Sequence, residues 1–336
     1  MKKLNDIVKA NMCLGCGLCT LGVAKDKPVM MEYSDKRGHL VPSIKKASAE
    51  NAEIGYRVCP GKVYKIHSLA KKYELGKYFN EDLGFYNDLS VVSTNDTKIL
   101  SQASSSGVMT ILLDYLIEHK MVDKAIVTKF DYTQNGPNAA AFATNKLEEL
   151  IDAQGSKYCP VDFSVVLENI KGADKTYSYA FVGTPCQIAS IRYIQDNIQD
   201  LCIKYFIGNF CGGFKSYNNL RRIIKLNRLN LNEVKYFRFR GGGQPGSLKV
   251  QTENEIITTP YPEYVKMTGY TKVKRCHFCV DATAELADFS CGDAWLPEYI
   301  DSGVPASLVI TRTQEDNEIF KEMKPNNRIV YYQIRH

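Results

Sequence analysis

The sequence predicts an α/β protein whose mixed core sheet contains parallel strands, preceded by a small cysteine-rich domain. Three observations carry that expectation. Strand-like apolar runs alternate with helix-like ones through most of the 336 residues. Two passages from strand to helix, SYAFVGTPCQ with Cys186 and IKYFIGNFCGG with Cys211, repeat one order of strand, cysteine and helix. A strand, a helix and a further strand imply a right-handed crossover between parallel neighbours. Finally, Cys13, Cys16, Cys19 and Cys59 stand apart from the other cysteines, which places one domain at 1–80 and a second at 81–336.

A chain of this length with 44% hydrophobic residues can bury a sizeable core. Its 43 Lys and Arg against 37 Asp and Glu give a net charge of +6, but the basic residues are scattered in twos and threes. That favours an anionic small molecule or an acidic partner and argues against nucleic acid. MKKLNDIVKANM lacks an apolar stretch of signal-peptide length, and the apolar run after Val108 is broken by Asp114. Neither a leader nor a membrane span is expected. Eleven cysteines, grouped at Cys-x2-Cys spacing, point to metal ligation in a reducing, cytoplasmic compartment over a disulfide framework.

Taken in order, NMCLGCGLCTLG sets Cys13, Cys16 and Cys19 in the Cys-x2-Cys-x2-Cys rhythm of a bacterial ferredoxin, with glycines that let the backbone wrap closely. Val23-Ala24 stands where that rhythm would place Cys-Pro, and Cys-Pro returns at Cys59-Pro60. In two-cluster ferredoxins the fourth cysteine of each run ligates the other cluster, so loss of one cluster leaves this pattern. The expectation is a ferredoxin-like domain with one 4Fe-4S cluster on Cys13, Cys16, Cys19 and Cys59. A zinc site is the alternative, although zinc knuckles come as two separated Cys-x2-Cys pairs. VMMEYSDKRGHLVPSI alternates apolar and polar residues around Lys36-Arg37-Gly38 and predicts a β-hairpin. A helical stretch over 63–75 leads into the main body.

LSVVST (89–94) predicts a strand. Ser104, Ser105, Ser106 and Gly107 then precede an apolar-periodic helix and the strand KAIVTK. Small residues at a helix N-terminus leave free N–H groups for a phosphate, or else simply cap a core helix. Ser156 and Lys157 in the QGSKYCP turn are further phosphate donors, and Cys159 there reads as structural. Parallel strands at 178–183 and 203–208 would set Cys186 and Cys211 on one carboxyl edge, where α/β folds place their sites. Cys202 reads as a packed core residue. The segment from VKYFRFRGGGQPG to Thr259 predicts antiparallel strands. Arg238 and Arg240, two apart, share a strand face there and are open to an anion or to solvent. ASLVITRT and RIVYYQI are expected to close the sheet around a helix at 314–324.

RCHFCVDATAELADFSCGDAWLP (275–297) carries Cys276, Cys279, Cys291, the acids Asp281, Glu285 and Asp288, a Gly292-Asp293 turn and Trp295. Cys276 and Cys279 can reach one metal and need two further ligands. Cys186 and Cys211 are expected to supply them in a second 4Fe-4S cluster, with Cys291 as the competitor and Trp295 as a packing wall.

The motifs CLGCGLC, SSSGV, GSKY, GTPCQ, FCGG and CHFCVDATAELADFSCGDAW, in this order over nearly the whole chain, resemble the coenzyme F(420) hydrogenase/dehydrogenase beta subunit family. The resemblance implies a flavoprotein with FAD and iron-sulfur clusters that passes electrons between reduced F(420) and a partner. It also implies relatives such as 7-hydroxymethyl chlorophyll a reductase, which use ferredoxin. By the same resemblance, 81–336 is an FAD-binding catalytic domain in which the Gly292-Asp293 segment shapes the flavin pocket, so Asp293 joins Ser104–Gly107, Ser156 and Lys157 as cofactor contacts. Two departures stand out: Ser106-Gly107-Val108 where the family often has Ser-Gly-Gly, and ligands for one N-terminal cluster where relatives often carry a fuller ferredoxin domain.

A flavin accepts a hydride as two electrons and releases them singly, and a cluster carries one at a time. The leading expectation is thus an FAD and iron-sulfur oxidoreductase of reduced F(420). The alternatives are a ferredoxin-dependent reductase of an organic substrate, of polysaccharide-biosynthesis type, and a non-enzymatic electron-transfer subunit docked on a larger redox complex or a homo-oligomer. No catalytic residue is assigned.

Overall fold

The computed structural model describes residues 3–21, 26–172, 177–268, 272–301, 303–324, 326 and 328–332. Val23-Ala24 and the end of the closing strand at 333–334 lie outside the described residues.

A short helix, α1 (Leu4–Lys9), precedes the first cysteine loop. The expected hairpin follows: β1 (Met30–Ser34) pairs antiparallel with β2 (His39–Ser43), and Gly38, at φ +67°, supplies the left-handed turn. Ser48 caps α2 (Ala49–Val58) by accepting from the Asn51 N–H at 3.1 Å, and this helix delivers Cys59 at its end. After α3 (Ile66–Lys72) comes a second hairpin of β3 (Tyr78–Asn80) and β4 (Gly84–Tyr86), which the sequence pattern did not announce.

The body begins with β5 (Asp88–Thr94), α4 (Thr97–Gln102), α5 (Val108–Glu118), β6 (Lys124–Thr133) and β7 (Gly136–Thr144). After α6 (Leu147–Asp152) and α7 (Ser164–Gly172) come the two strand, cysteine and helix units: β8 (Tyr179–Gly183) with α8 (Pro185–Asn197), and β9 (Ile203–Asn209) with α9 (Tyr217–Leu226). A separate antiparallel sheet of β10 (Tyr236–Gly241), β11 (Ser247–Gln251) and β12 (Ile256–Pro260) follows, then α10 (Glu263–Met267). The chain returns through β13 (Phe289–Asp293), α11 (Pro297–Asp301), β14 (Ser307–Thr311), α12 (Gln314–Glu322) and β15 (Ile329–Tyr332).

These strands build an eight-stranded mixed sheet in the order β15-β5-β14-β13-β9-β8-β6-β7. Its centre, β13, β9, β8 and β6, is parallel, and both flanks close by antiparallel pairing. Central strands covered on both faces alternate between two cores. Phe181 and Phe206 point into one, and Ala180 and Ile207 into the other with α5. Cys16, Leu18, Ile54, Val58 and Leu75 of the N-terminal segment share the first core with Phe181 and Phe206, so that segment packs onto the sheet. Among the described residues no helix is long and apolar enough to cross a membrane. Cys202 packs against the core as a half-buried residue just before β9, at φ +54°, with its sulfur 3.8 Å from an Asp200 carboxylate oxygen.

One side chain joins these parts. Arg312 is fully buried and donates to the carbonyls of Leu83 at 2.8 Å, Phe85 at 2.5 Å and Thr283 at 2.9 Å, and to the Ser290 hydroxyl at 3.1 Å. Burial lowers its pKa to about 10, opposed by the nearby charges of Asp281 and Glu285. Replacing Arg312 by Ala would leave buried carbonyls without their donor and the carboxylates of Asp281 and Glu285 without its charge. The expected loss is about 3–5 kcal/mol in urea unfolding; an unchanged midpoint would show that the network carries no net stability.

Candidate functional site

The first cysteine set is built by glycine. Gly15 and Gly17 adopt φ +69° and +72°, and a Cβ on Gly17 would overlap the Asp162 carboxylate. The chain therefore folds back on itself and turns Cys13, Cys16 and Cys19 toward Cys59. All four are 7% exposed and line one small cavity with Leu4, Ile7 and Met31. The Gly15 N–H donates to the Cys13 sulfur at 3.4 Å, and the Gly61 N–H to the Cys59 sulfur at 3.3 Å. Burial, then the charge of neighbouring thiols, pushes Cys16 and Cys19 well up, while Cys13 reaches about 12. Such thiols keep their protons unless a metal takes the proton's place.

The second set comes from three segments. Cys186 lies in the first turn of α8, Cys211 two residues beyond β9, and Cys276 and Cys279 in and after a tight turn at Lys274–Phe278. Burial raises Cys186 to about 12, with added contributions from the charges of Cys211, Cys276 and Cys279. Cys276 and Cys279 likewise raise Cys211. The four thiols are thus electrostatic neighbours. Leu14, Phe214 and Val273 pack around Cys186 and Cys276, and the Gly213 N–H donates to the Cys211 sulfur at 3.3 Å. Cys279 is exposed. The two sets adjoin, because Cys16 also feels the charge of Cys186. Among the described residues no three or more His, Cys, Asp or Glu converge as they would on a single ion.

Cys291 is placed differently. Burial alone pushes it to about 12, and it packs in the apolar core between the sheet and α5. Cys159 is buried in the opposite core.

Along the carboxyl edge of β8, β9 and β13 lies a cavity of about 250 Å³. Ser104, Ser105, Gly107, Ser156, Lys157 and Asp293 line it, together with Cys211. Gly107, at φ +73°, starts α5, whose first residues Val108 and Met109 also line the cavity; a helix start leaves N–H groups without helical partners. The serine hydroxyls are engaged in the protein: Ser104 donates to the Arg240 carbonyl at 2.7 Å, Ser105 to that of Ala306 at 3.0 Å, and fully buried Ser106 to the Ser307 hydroxyl at 2.7 Å. Ser106 is not on the cavity wall. The Lys157 ammonium donates to the carbonyls of Ala153 and, at 3.1 Å, Gln154. Burial and then Arg238 lower its pKa to about 7.

Asp293 forms a two-pronged ion pair with Arg240, at 2.5 and 2.8 Å, and accepts from the Trp295 indole N–H at 3.1 Å. Trp295 stands over that pair, with the guanidinium 5.3 Å from its ring. Arg240 is therefore neither solvated nor open to an anion, as its spacing from Arg238 had left possible. The spacing showed in the sequence; the carboxylate more than fifty residues away did not.

Residues 90–168 and 176–335 match the families described as coenzyme F(420) hydrogenase/dehydrogenase, beta subunit N-term and C terminus. The chain is similar to a coenzyme F(420)-dependent sulfite reductase of Methanocaldococcus jannaschii, with 25% identity over 94% of the chain and 47% of that protein. It spans about half of that relative's length. It is also similar to a coenzyme F(420) hydrogenase subunit beta of Methanothermobacter thermautotrophicus, with 29% identity over 71% of the chain and 82% of the relative. In fold it resembles a chain of the F(420)-reducing NiFe hydrogenase complex of Methanosarcina barkeri: TM-score 0.59, 24% identity, 76% of this chain and 85% of that one.

In the metal-free chain the exposed Cys279 should react with iodoacetamide before any thiol of the first set, and Cys291 should be among the last. Peptide mass spectrometry over a time course reads the order; early labelling of Cys291 would contradict its placement in the core.

Proposed function

Because the chain belongs to the coenzyme F(420) hydrogenase/dehydrogenase beta subunit family, we propose that it is an oxidoreductase carrying electrons between reduced coenzyme F(420) and a one-electron carrier, with FAD and two 4Fe-4S clusters. One observation supports this above the others. The two thiol sets adjoin at Cys16 and Cys186, and the second opens through Cys211 onto the cavity at the sheet edge. When bound, a flavin exchanges a hydride for single electrons that a 4Fe-4S cluster can carry.

In this reading residues 1–80 hold one cluster on Cys13, Cys16, Cys19 and Cys59, and residues 81–336 hold the flavin and a second cluster on Cys186, Cys211, Cys276 and Cys279. The donor chemistry suits iron-sulfur clusters. Each set has four thiols, near enough that the charges of the others add to the burial that raises Cys16 and Cys186, and several accept backbone N–H bonds. Val108 and Met109 at the start of α5, together with Lys157, would hold flavin phosphates, and the Arg240–Asp293 pair fixes the wall at Ser104. A one-electron partner, a ferredoxin or a subunit of a larger complex, would approach at exposed Cys279, flanked by Phe278 and Val280 at 55% and 74% exposure.

Anaerobic purification with iron, sulfide and flavin analysis tests the cofactor content. Oxidation of reduced F(420) with a dye acceptor tests the substrate; electron uptake from ferredoxin alone would replace F(420) as donor. Cys59→Ala should lower bound iron by about four per chain. Cys186→Ala and Cys211→Ala should each abolish the reduced-state EPR signal of the second cluster and Cys291→Ala should spare it; the opposite pattern would reverse the ligand assignment. Lys157→Glu should weaken flavin retention while leaving the N-terminal cluster intact, and full FAD in that variant would refute the phosphate placement.

A further inference from the structure

We propose that a second cavity, behind the Gln154–Lys157 loop, is an anion subsite that takes a phosphate or carboxylate group of a bound ligand, with Arg238 as its principal cation. It measures about 400 Å³. Four cations line it, Lys98, Lys129, Lys157 and Arg238, against two carboxylates, Glu148 and Asp152. Glu148 is already engaged with Lys98 at 3.3 Å on the surface, so the interior of the cavity keeps a positive excess.

Arg238 is a cation without a counterpart. Among the described residues its side chain makes no ion pair and no hydrogen bond. Its side chain lies against two glycines. A Cβ on Gly155 would come within 2.7 Å of Arg238 Nε, and one on Gly241 within 2.5 Å of its Cδ. The two glycines thus keep a slot in which the guanidinium can sit beside the loop carrying Lys157. Two cations held side by side repel unless an anion lies between them; burial first, and Arg238 second, lower the Lys157 pKa. Tyr132, on the same wall, accepts from the Phe237 N–H at 2.9 Å, which leaves its own O–H free to donate. A planar guanidinium, an ammonium and a hydroxyl suit an oxyanion.

Residues 154–157 line both cavities, so a group bound in the second lies one loop away from the first. Two sources share this chemistry: the diphosphate of the flavin itself, or an acidic tail on a second ligand. Calorimetric titration of the purified chain with inorganic pyrophosphate at low salt tests the site. Arg238→Gln should weaken binding at least about tenfold, Arg238→Lys should recover most of it, and Lys98→Gln, already paired at the rim, should change it less than about threefold. If Arg238→Gln fails to fold, Lys129→Gln should still weaken binding severalfold. Flavin content separates the sources: a variant that loses flavin assigns the subsite to the flavin diphosphate, and one that keeps it assigns the subsite to a second ligand. Absent pyrophosphate binding in flavin-free chain, or binding indifferent to Arg238, overturns the proposal. A chain that purifies without flavin would defeat the flavin reading above yet leave this titration valid.

Discussion

A buried guanidinium is tolerated only when its donors find acceptors and its charge finds compensation, and Arg312 meets both conditions by drawing four stretches of chain together. It reaches the β3–β4 hairpin, the loop before β13, β13 itself through Ser290, and its own position after β14. The acids of the loop complete the arrangement. Asp281 accepts from the Glu285 N–H with both oxygens at 3.2 Å, Glu285 accepts from the Phe85 N–H at 3.1 Å, and Asp288 accepts from the Phe206 N–H at 2.6 Å while pairing with Arg192. These carboxylates hold the loop against the sheet. That in turn fixes Cys276 and Cys279, upstream on the same stretch, relative to Cys186 and Cys211 at the strand ends.

The thiols impose a second constraint. Burial first, and the charge of neighbouring thiols second, raise Cys16, Cys19 and Cys186 within two adjoining groups. Cys13, Cys19 and Cys59 belong to one small apolar cluster, and Cys186 and Cys276 pack against another. Cys13, Cys19 and Cys59 make up much of the N-terminal cluster with Leu4, Ile7, Met12 and Val29. A core that small contributes little on its own, so the order of this segment depends on what binds the thiols and on the apolar surface it shares with the sheet.

Much of this was legible in the sequence because it is written in local patterns. Cys-x2-Cys spacing, the Gly38 turn, the helix after Gly107 and the two strand, cysteine and helix units each depend on residues a few positions apart, and the structure contains them. The antiparallel stretch after residue 235 also follows from alternation. What the pattern could not show depends on distant partners. The β3–β4 hairpin is three residues per strand and is held by Arg312 and Glu285 from two hundred residues away. Arg238 and Arg240 look alike in sequence; only Asp293 separates their roles, and only Gly155 and Gly241 explain where Arg238 lies. Cys202 looked like part of a strand because an apolar run follows it, but Asp200 and a left-handed backbone hold it just outside.

Cys291 shows how a strand divides chemistry between its two faces. Consecutive residues of β13 point to opposite sides of the sheet. Ser290 turns toward Arg312, while Phe289 and Cys291 turn into the core beneath α5. Cys211, by contrast, lies past the end of β9, where the chain is free of the pleat and Gly213 lets it fold back under the Lys272 side chain and Cys276. Two cysteines at the same sheet edge thus meet different surroundings: Cys211 joins three other thiols, and Cys291 contributes an uncharged wall to the cavity between them and α5. A thiol kept neutral in that wall adds apolar surface to the cavity and no charge.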